Sequence, residues 1–161
     1  MRSVSPLILI SDVTCRIFGD LLPHTPIGMM GINRSVHFDV GSAREKIGNI
    51  LAPKEPWGKW GEDVMRGEGK HHGGLLSMTI IQKDVDDRPA GSIQAKVEPS
   101  GVIGRGRTGI FMEVNDHYSI PDPSGATDAL EIMDLLRNRF DSSIQRSEGI
   151  IDQIMSLRDA S

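Results

Sequence analysis

The sequence predicts an α+β fold: a four- to five-stranded, largely antiparallel sheet with a short helix and a long C-terminal helix. Three observations carry this expectation. Apolar residues alternate with polar ones in 27–40, 75–83, 92–98 and 109–115, the pattern of strands with one covered face. The last three of these segments follow one another with no helical pattern between them, so they should form a meander rather than a doubly wound sheet. Residues 128–158 carry an apolar stripe on a heptad: Ala129, Leu136, Ser143, Ile150 and Leu157 at one position, Met133, Phe140, Ser147 and Ile154 at the other. A stripe of that length needs cover from the rest of the chain or from another subunit.

The elements follow in order. Residues 7–18 are rich in Ile, Leu, Val and Thr and read as a strand. Residues 19–26 hold Pro23 and Pro26 and read as a connection. In 27–40, Ile32, Val36, Phe38 and Val40 share one face and Asn33, Ser35, His37 and Asp39 the other. Arg34 interrupts the apolar face, so it should lie at a sheet edge or meet an acid. Ser42-Ala43-Arg44-Glu45 has the form of a capping box. Ile47, Ile50 and Leu51 then give a short helix, 43–51, an apolar side, and Pro53 and Pro56 end it. Residues 53–74 hold six glycines, two prolines and both tryptophans and read as a long loop.

Strands 75–83, 92–98 and 109–115 come next, the first two joined by the turn Asp84-Val85-Asp86-Asp87-Arg88-Pro89. Asp128 is the expected N-cap of the C-terminal helix, with Glu131 at its third position. The chain, 1–161, is expected to be one domain, long enough to bury a core without disulfides.

Composition narrows the function. The net charge of −4 speaks against nucleic acid as the main partner. Residues 113–161 hold 10 acids against 4 arginines, net −6, and the surplus fits the solvated side of the long helix. One cysteine, Cys15, allows no internal disulfide and favours a cytoplasmic protein. The run Leu7-Ile8-Leu9-Ile10 is too short to span a membrane.

No segment carries a strong catalytic, metal or cofactor pattern. Gly104-Arg105-Gly106-Arg107-Thr108-Gly109 matches G-x-G-x-x-G, but a strand follows it where a dinucleotide site needs a helix N-terminus. Its glycines are expected to serve a connection, leaving Arg105 and Arg107 as candidates for contact with an anion. His71 and His72 are adjacent, so they point apart on an extended chain and make a poor metal pair. Asp84, Asp86 and Asp87 lack the glycine and terminal glutamate of a calcium loop. The balance is against an enzyme, and neither cofactor nor metal is expected. Trp57 and Trp60 share one loop and are candidate interface anchors, expected to be at least partly covered.

Gly31-Ile32-Asn33-Arg34 before the strand Ser35–Val40, and Gly109-Ile110-Phe111-Met112-Glu113-Val114-Asn115 leading to a helix with Leu135, Arg139 and Phe140, carry a family likeness. Over about residues 27–155 the chain resembles a sporadically distributed family of uncharacterised bacterial proteins. Its pattern is also similar to SecB-like chaperones. That resemblance implies a four-stranded antiparallel sheet with long helices and assembly into oligomers.

The expected function is therefore that of a cytoplasmic binding or assembly protein, homo-oligomeric and chaperone-like, with a protein or peptide partner. Phe140, Ile150, Ile154 and Leu157 on the long helix, with Trp57 and Trp60, are the expected interface. The alternative is a small-molecule-binding protein or enzyme with a pocket between the sheet and the Trp57/Trp60 loop, lined by Arg34, His37, Asp39 and His117. A nucleic-acid role would need Arg34, Lys83, Lys96, Arg105 and Arg107 in one stripe.

Overall fold

The computed structural model describes residues 6–65, 74–88, 90–104, 108–119 and 129–160. The architecture is α+β. Four antiparallel strands, β1 (Met29–Asp39), β2 (Met78–Lys83), β3 (Ala90–Pro99) and β4 (Gly109–Ser119), form one sheet in the order β1-β4-β3-β2. The expected meander is β2-β3-β4, and the chain crosses over from β1 to reach it. The helices are α1 (Pro6–Cys15), α2 (Ala43–Leu51), α3 (Gly58–Met65) and α4 (Ala129–Ser156). The expected N-cap, Asp128, lies outside the described residues.

The expected strand over 7–18 is a helix. α1 continues into a π-helical stretch, Arg16–Leu21. β-Branched content is a weak prior, and spacing overrides it here. Ser11, Thr14, Cys15 and Phe18 recur every three or four residues and turn inward, while Leu9, Val13 and Ile17 stay exposed. The Thr14 hydroxyl donates to the Ile10 carbonyl at 2.9 Å, a bond that a helix satisfies and a strand does not.

The expected loop 53–74 is also partly helical: a 3₁₀ turn, Glu55–Trp57, leads into α3. Pro56 is tolerated in a first helical turn, where its missing N–H costs nothing. Gly61 is required rather than disruptive, because a Cβ there would stand 2.6 Å from the Lys54 carbonyl oxygen. α2 has the expected bounds, but Ser42 makes no side-chain capping bond, so the capping box does not form.

The chain divides into two compact units, and every strand and α4 contribute residues to both. Unit 1 holds residues 1–33, 81–93 and 115–147; unit 2 holds 34–80, 94–114 and 148–161. The core of unit 1 is Cys15, Ile32, Tyr118, Ile132, Met133 and Leu136, with Phe18, Ile27, Met30 and Phe140 packed on it. Each fully buried aliphatic side chain contributes roughly 1.5–3 kcal/mol. In unit 2, Ile47, Val97, Ile110, Met112, Val114 and Ile151 are buried. Arg34 behaves as its position required: β1 is an edge strand, and Arg34 Nε lies 3.7 Å from Glu148.

The stripe of α4 departs from a strict heptad at its end. Ala129, Met133, Leu136, Ser143 and Ser147 are buried, but the next buried residue is Ile151, with Ile150 half-buried. A straight helix drifts about 20° per heptad against a 3.5-residue repeat, so the covered seam has moved by one residue. The helix runs unbroken through Gly149. Its end does not stand bare. Ile150, Ile154, Met155 and Leu157 are half-buried, and α2 packs against the terminal 3₁₀ turn, Leu157–Asp159.

Two glycines give opposite expectations. Gly91 in β3 has φ +142°, and a Cβ there would collide with the His117 carbonyl oxygen. Gly91→Ala should cost roughly 3–5 kcal/mol in urea unfolding. Gly149 is helical with nothing within 4 Å of an added Cβ, so Gly149→Ala should stabilise by about 1 kcal/mol. A neutral Gly91→Ala would disprove the close strand approach.

Candidate functional site

The strongest site candidate lies in unit 1. It is a half-open apolar groove of about 420 Å³. Ile10, Ser11, Thr14 and Phe18 line it from α1 and its π-helical continuation. Ile27, Met29, Met30, Ile32 and Asn33 line it from β1 and the approach to it. Ile132, Met133, Leu136, Phe140 and Ile144 line it from α4. The inward stripe of α1, the inward face of β1 and the seam of α4 therefore meet there without filling the space. Few polar groups face it, and the Thr14 hydroxyl is already committed to Ile10. The arrangement suits binding of an apolar group and offers no acid–base pair for chemistry.

Beside it is a second cleft of about 490 Å³, lined by Asp12, Arg16, Asp20, Arg137 and Asp141 with Ser11, Cys15 and Phe140. Arg137 is paired with Asp134 at 3.1 Å.

A buried charge cluster stands in the same unit. Asp116 occupies the inward face of β4 and is fully buried. Arg88, from the β2–β3 turn, donates through Nη1 to Asp116 Oδ1 and at 3.0 Å to the His117 carbonyl. Arg146 of α4 donates to Asp116 Oδ2 at 2.6 Å and also to Asp87. Arg88 Nε reaches Asp87 at 3.0 Å. The Arg88 guanidinium lies 4.2 Å from the Tyr118 ring centre, where the ring face attracts a cation; its Nη2 makes no hydrogen bond. The Tyr118 hydroxyl is 2.6 Å from Ser143 Oγ, and Ser147 Oγ donates to the Ser143 carbonyl at 2.8 Å. Two arginines balance two aspartates, so the cluster is a neutral tie between elements.

Its protonation follows from these contacts. Burial works against the Asp87 carboxylate, but hydrogen bonds from Arg146 and Arg88 outweigh it and hold its pKa below the usual value of 3.8. Burial likewise opposes the charge on Arg88, and the hydrogen bond to Asp116 more than restores it. Arg146 is raised in the same way, chiefly by Asp87 against the cost of burial.

The sequence-derived candidates scatter. Trp57 and Trp60 meet in a tilted pair, 5.6 Å between ring centres, but remain 59% and 62% exposed, and neither lines the cavities above. Phe140 lines both cavities. Ile150, Ile154 and Leu157 are half-buried in unit 2. Arg105 and Arg107 lie outside the described residues, as do His71 and His72. The glycine-rich segment does join two strands, β3 and β4. Ser100 organises its start: its buried Oγ accepts from the amides of Val102 and Ile103 at 3.2 and 2.9 Å.

His37 Nδ1 is 2.8 Å from that oxygen, and its ring lies tilted against Phe111 with 4.9 Å between ring centres. With both lone pairs of Ser100 Oγ occupied, the hydroxyl proton points to His37 Nδ1. Asp39 accepts from Gly41 N at 3.2 Å, and His117 meets Ser119 at 3.5 Å. Arg34, His37, Asp39 and His117 thus have local partners and line neither cavity. Lys96 pairs with Glu98 at 2.8 Å and Arg34 with Glu148, which neutralises two cations of the expected basic stripe. Among the described residues no three His, Cys, Asp or Glu side chains gather as a metal site, and no helix is long and apolar enough to cross a membrane.

Sequence reasoning did not anticipate the groove or the charge cluster. Extending the alternation Ile110, Met112, Val114 by two steps lands on Asp116 and Tyr118, which would have marked a buried acid. The groove was hidden because 7–18 read as a strand.

Two outcomes test the cluster. Asp116→Ala leaves Arg88 buried without its main partner and should cost about 3–5 kcal/mol, read as a lower urea midpoint with unchanged slope. For pH, the depressed Asp87 carboxyl contributes stability that is present above its unfolded value, near 3.9, and is lost as pH falls through the lower folded value. Asp87→Asn should therefore flatten the acid limb of stability against pH; an unchanged limb would exclude Asp87 as a contributor.

No protein-family model, curated protein or solved structure matches the chain.

Proposed function

We propose that the chain is a non-enzymatic binding and assembly protein, working in the cytoplasm as a homo-oligomer and holding an apolar segment of a protein partner. The observation that supports this best is the half-open groove of unit 1, built from three elements and mostly apolar, with Ser11, Thr14 and Asn33 as its polar lining. A groove left open to water on one side forgoes burial of its own lining, a cost that binding an apolar group removes. Exposed Leu9, Ile10 and Met29 continue the apolar surface around it. The resemblance to SecB-like chaperones points the same way. A protein that holds apolar segments needs area and tolerance rather than reactive groups, and the methionines Met29, Met30 and Met133 supply an adaptable lining.

A second reading places a small apolar molecule in the same groove. Its volume of about 420 Å³ lies in the range of ligand pockets.

Binding of a hydrophobic fluorescent dye tests both. The dye should bind the folded chain, and peptides rich in Leu and Phe should displace it. Met29→Glu places a charge at the groove mouth, at a residue 64% exposed, and should weaken both events about tenfold without loss of folding. Displacement by short aliphatic acids but not by peptides would favour the second reading. A folded chain that binds neither would refute the groove as a site.

A further inference from the structure

We infer that the apolar groove and the charged cleft beside it act as one site, whose occupant is a single-chain aliphatic amphiphile with a cationic head. The inference rests on the second reading above, a small apolar molecule in the groove, and names the chemical class of that molecule. Ser11 of α1 and Phe140 of α4 line both cavities. All the lining residues belong to unit 1. A molecule seated in the groove therefore has the cleft at its end, past these two side chains.

The groove decides the tail. Its polar lining is Ser11, Thr14 and Asn33, and the Thr14 hydroxyl already donates to Ile10. A main chain buried there would bring amide groups in need of partners, and the groove offers few. An aliphatic chain brings none, and each methylene it buries against the Ile, Leu, Met and Phe side chains adds to binding.

The cleft decides the head. One wall, α1 and its π-helical continuation, presents Asp12, Arg16 and Asp20; the other, α4, presents Arg137 and Asp141. Three acids against two bases give a net charge of −1. Arg137 is already engaged: its Nη1 holds Asp134 at 3.1 Å, outside the cleft lining, and its Nη2 lies close against Gly19. Asp12, Asp20 and Asp141 have no ion pair among the described residues. Three carboxylates from two walls thus stand against Arg16. An ammonium group complements that surplus, where a carboxylate or sulfate would add to it. The three acids are exposed, so salt screens the contact with the head and leaves the contact with the tail.

The test is displacement of an uncharged hydrophobic dye from the full chain by decylamine, decanol and decanoate at neutral pH, below the concentrations at which they self-associate. Circular dichroism confirms folding. Decylamine should bind about tenfold more tightly than decanol, the sum of several weak exposed contacts, and decanoate more weakly than decanol. Salt at about 0.5 M should erase that order. Asp20→Asn combined with Asp141→Asn, at two exposed positions, should abolish the preference for the amine and leave decanol binding unchanged. Equal binding of the three compounds keeps the groove as a site and overturns the cationic head. A preference for the amine that survives the double substitution overturns it too. Tighter binding of decanoate, lost with Arg16→Gln, assigns an anionic head to Arg16 and likewise overturns it. Displacement by peptides rich in Leu and Phe, but by none of the three compounds, keeps the protein-partner reading and overturns this one. A folded chain that binds dye, peptide and amphiphile not at all refutes the groove and this inference together.

Discussion

The carboxylate of Asp116 is the constraint on which unit 1 depends. It is an acid in the covered face of β4, where the two preceding inward positions are Met112 and Val114. A buried charge of that kind is tolerable only if its partners are held in place. Arg88 and Arg146 supply them, one from the turn between β2 and β3, the other from α4. Neither arginine can retreat without leaving a charge stranded. Apolar packing alone would let α4 slide or rotate on the sheet with little penalty. The bonds of Arg146 to Asp116 and Asp87 fix its register, and with it the positions of Leu136 and Phe140 in the groove.

The same grip explains two serines in an apolar stripe. Ser143 and Ser147 are small, so the helix can approach the sheet where Tyr118 stands upright beneath Arg88. Their hydroxyls find the Tyr118 hydroxyl and a helix carbonyl, and no polar atom of theirs is stranded. A heptad reading treats them as weak places in a coiled-coil seam. In the fold they are the room that the charge cluster needs.

Much of the architecture was legible. The alternation around Ile32, Val36 and Phe38, and that of Ile110, Met112 and Val114, reported strand and face correctly, because a sheet covered on one side imposes a period that few other structures imitate. The bounds of α2 were legible from Ile47 and from the prolines after it. Residues 7–18 misled because Ile, Val and Thr favour strands locally while their three- and four-residue spacing serves a helix. Trp57 and Trp60 misled because glycines around them suggested a loop, when Gly58 starts a helix and Gly61 lets that helix lie close against the Lys54 carbonyl. The groove needed three distant segments to meet, and the charge cluster needed four residues from three elements. Neither kind of coincidence is encoded in local spacing. Only Asp116, out of place on an inward face, carried a readable trace.

The placing of the aromatic residues has a spectroscopic consequence. The chain has two tryptophans and one tyrosine. The tryptophans sit together and largely exposed in unit 2, at the 3₁₀ turn and on α3, while the tyrosine is sealed in the core of unit 1 under a guanidinium. Indole emission is therefore an indicator of a surface pair and is nearly blind to the loss of the core. The near-ultraviolet dichroism of Tyr118 observes that core and little else. The two optical signals amount to separate gauges on separate parts of one chain, and a transition seen by one need not coincide with a transition seen by the other.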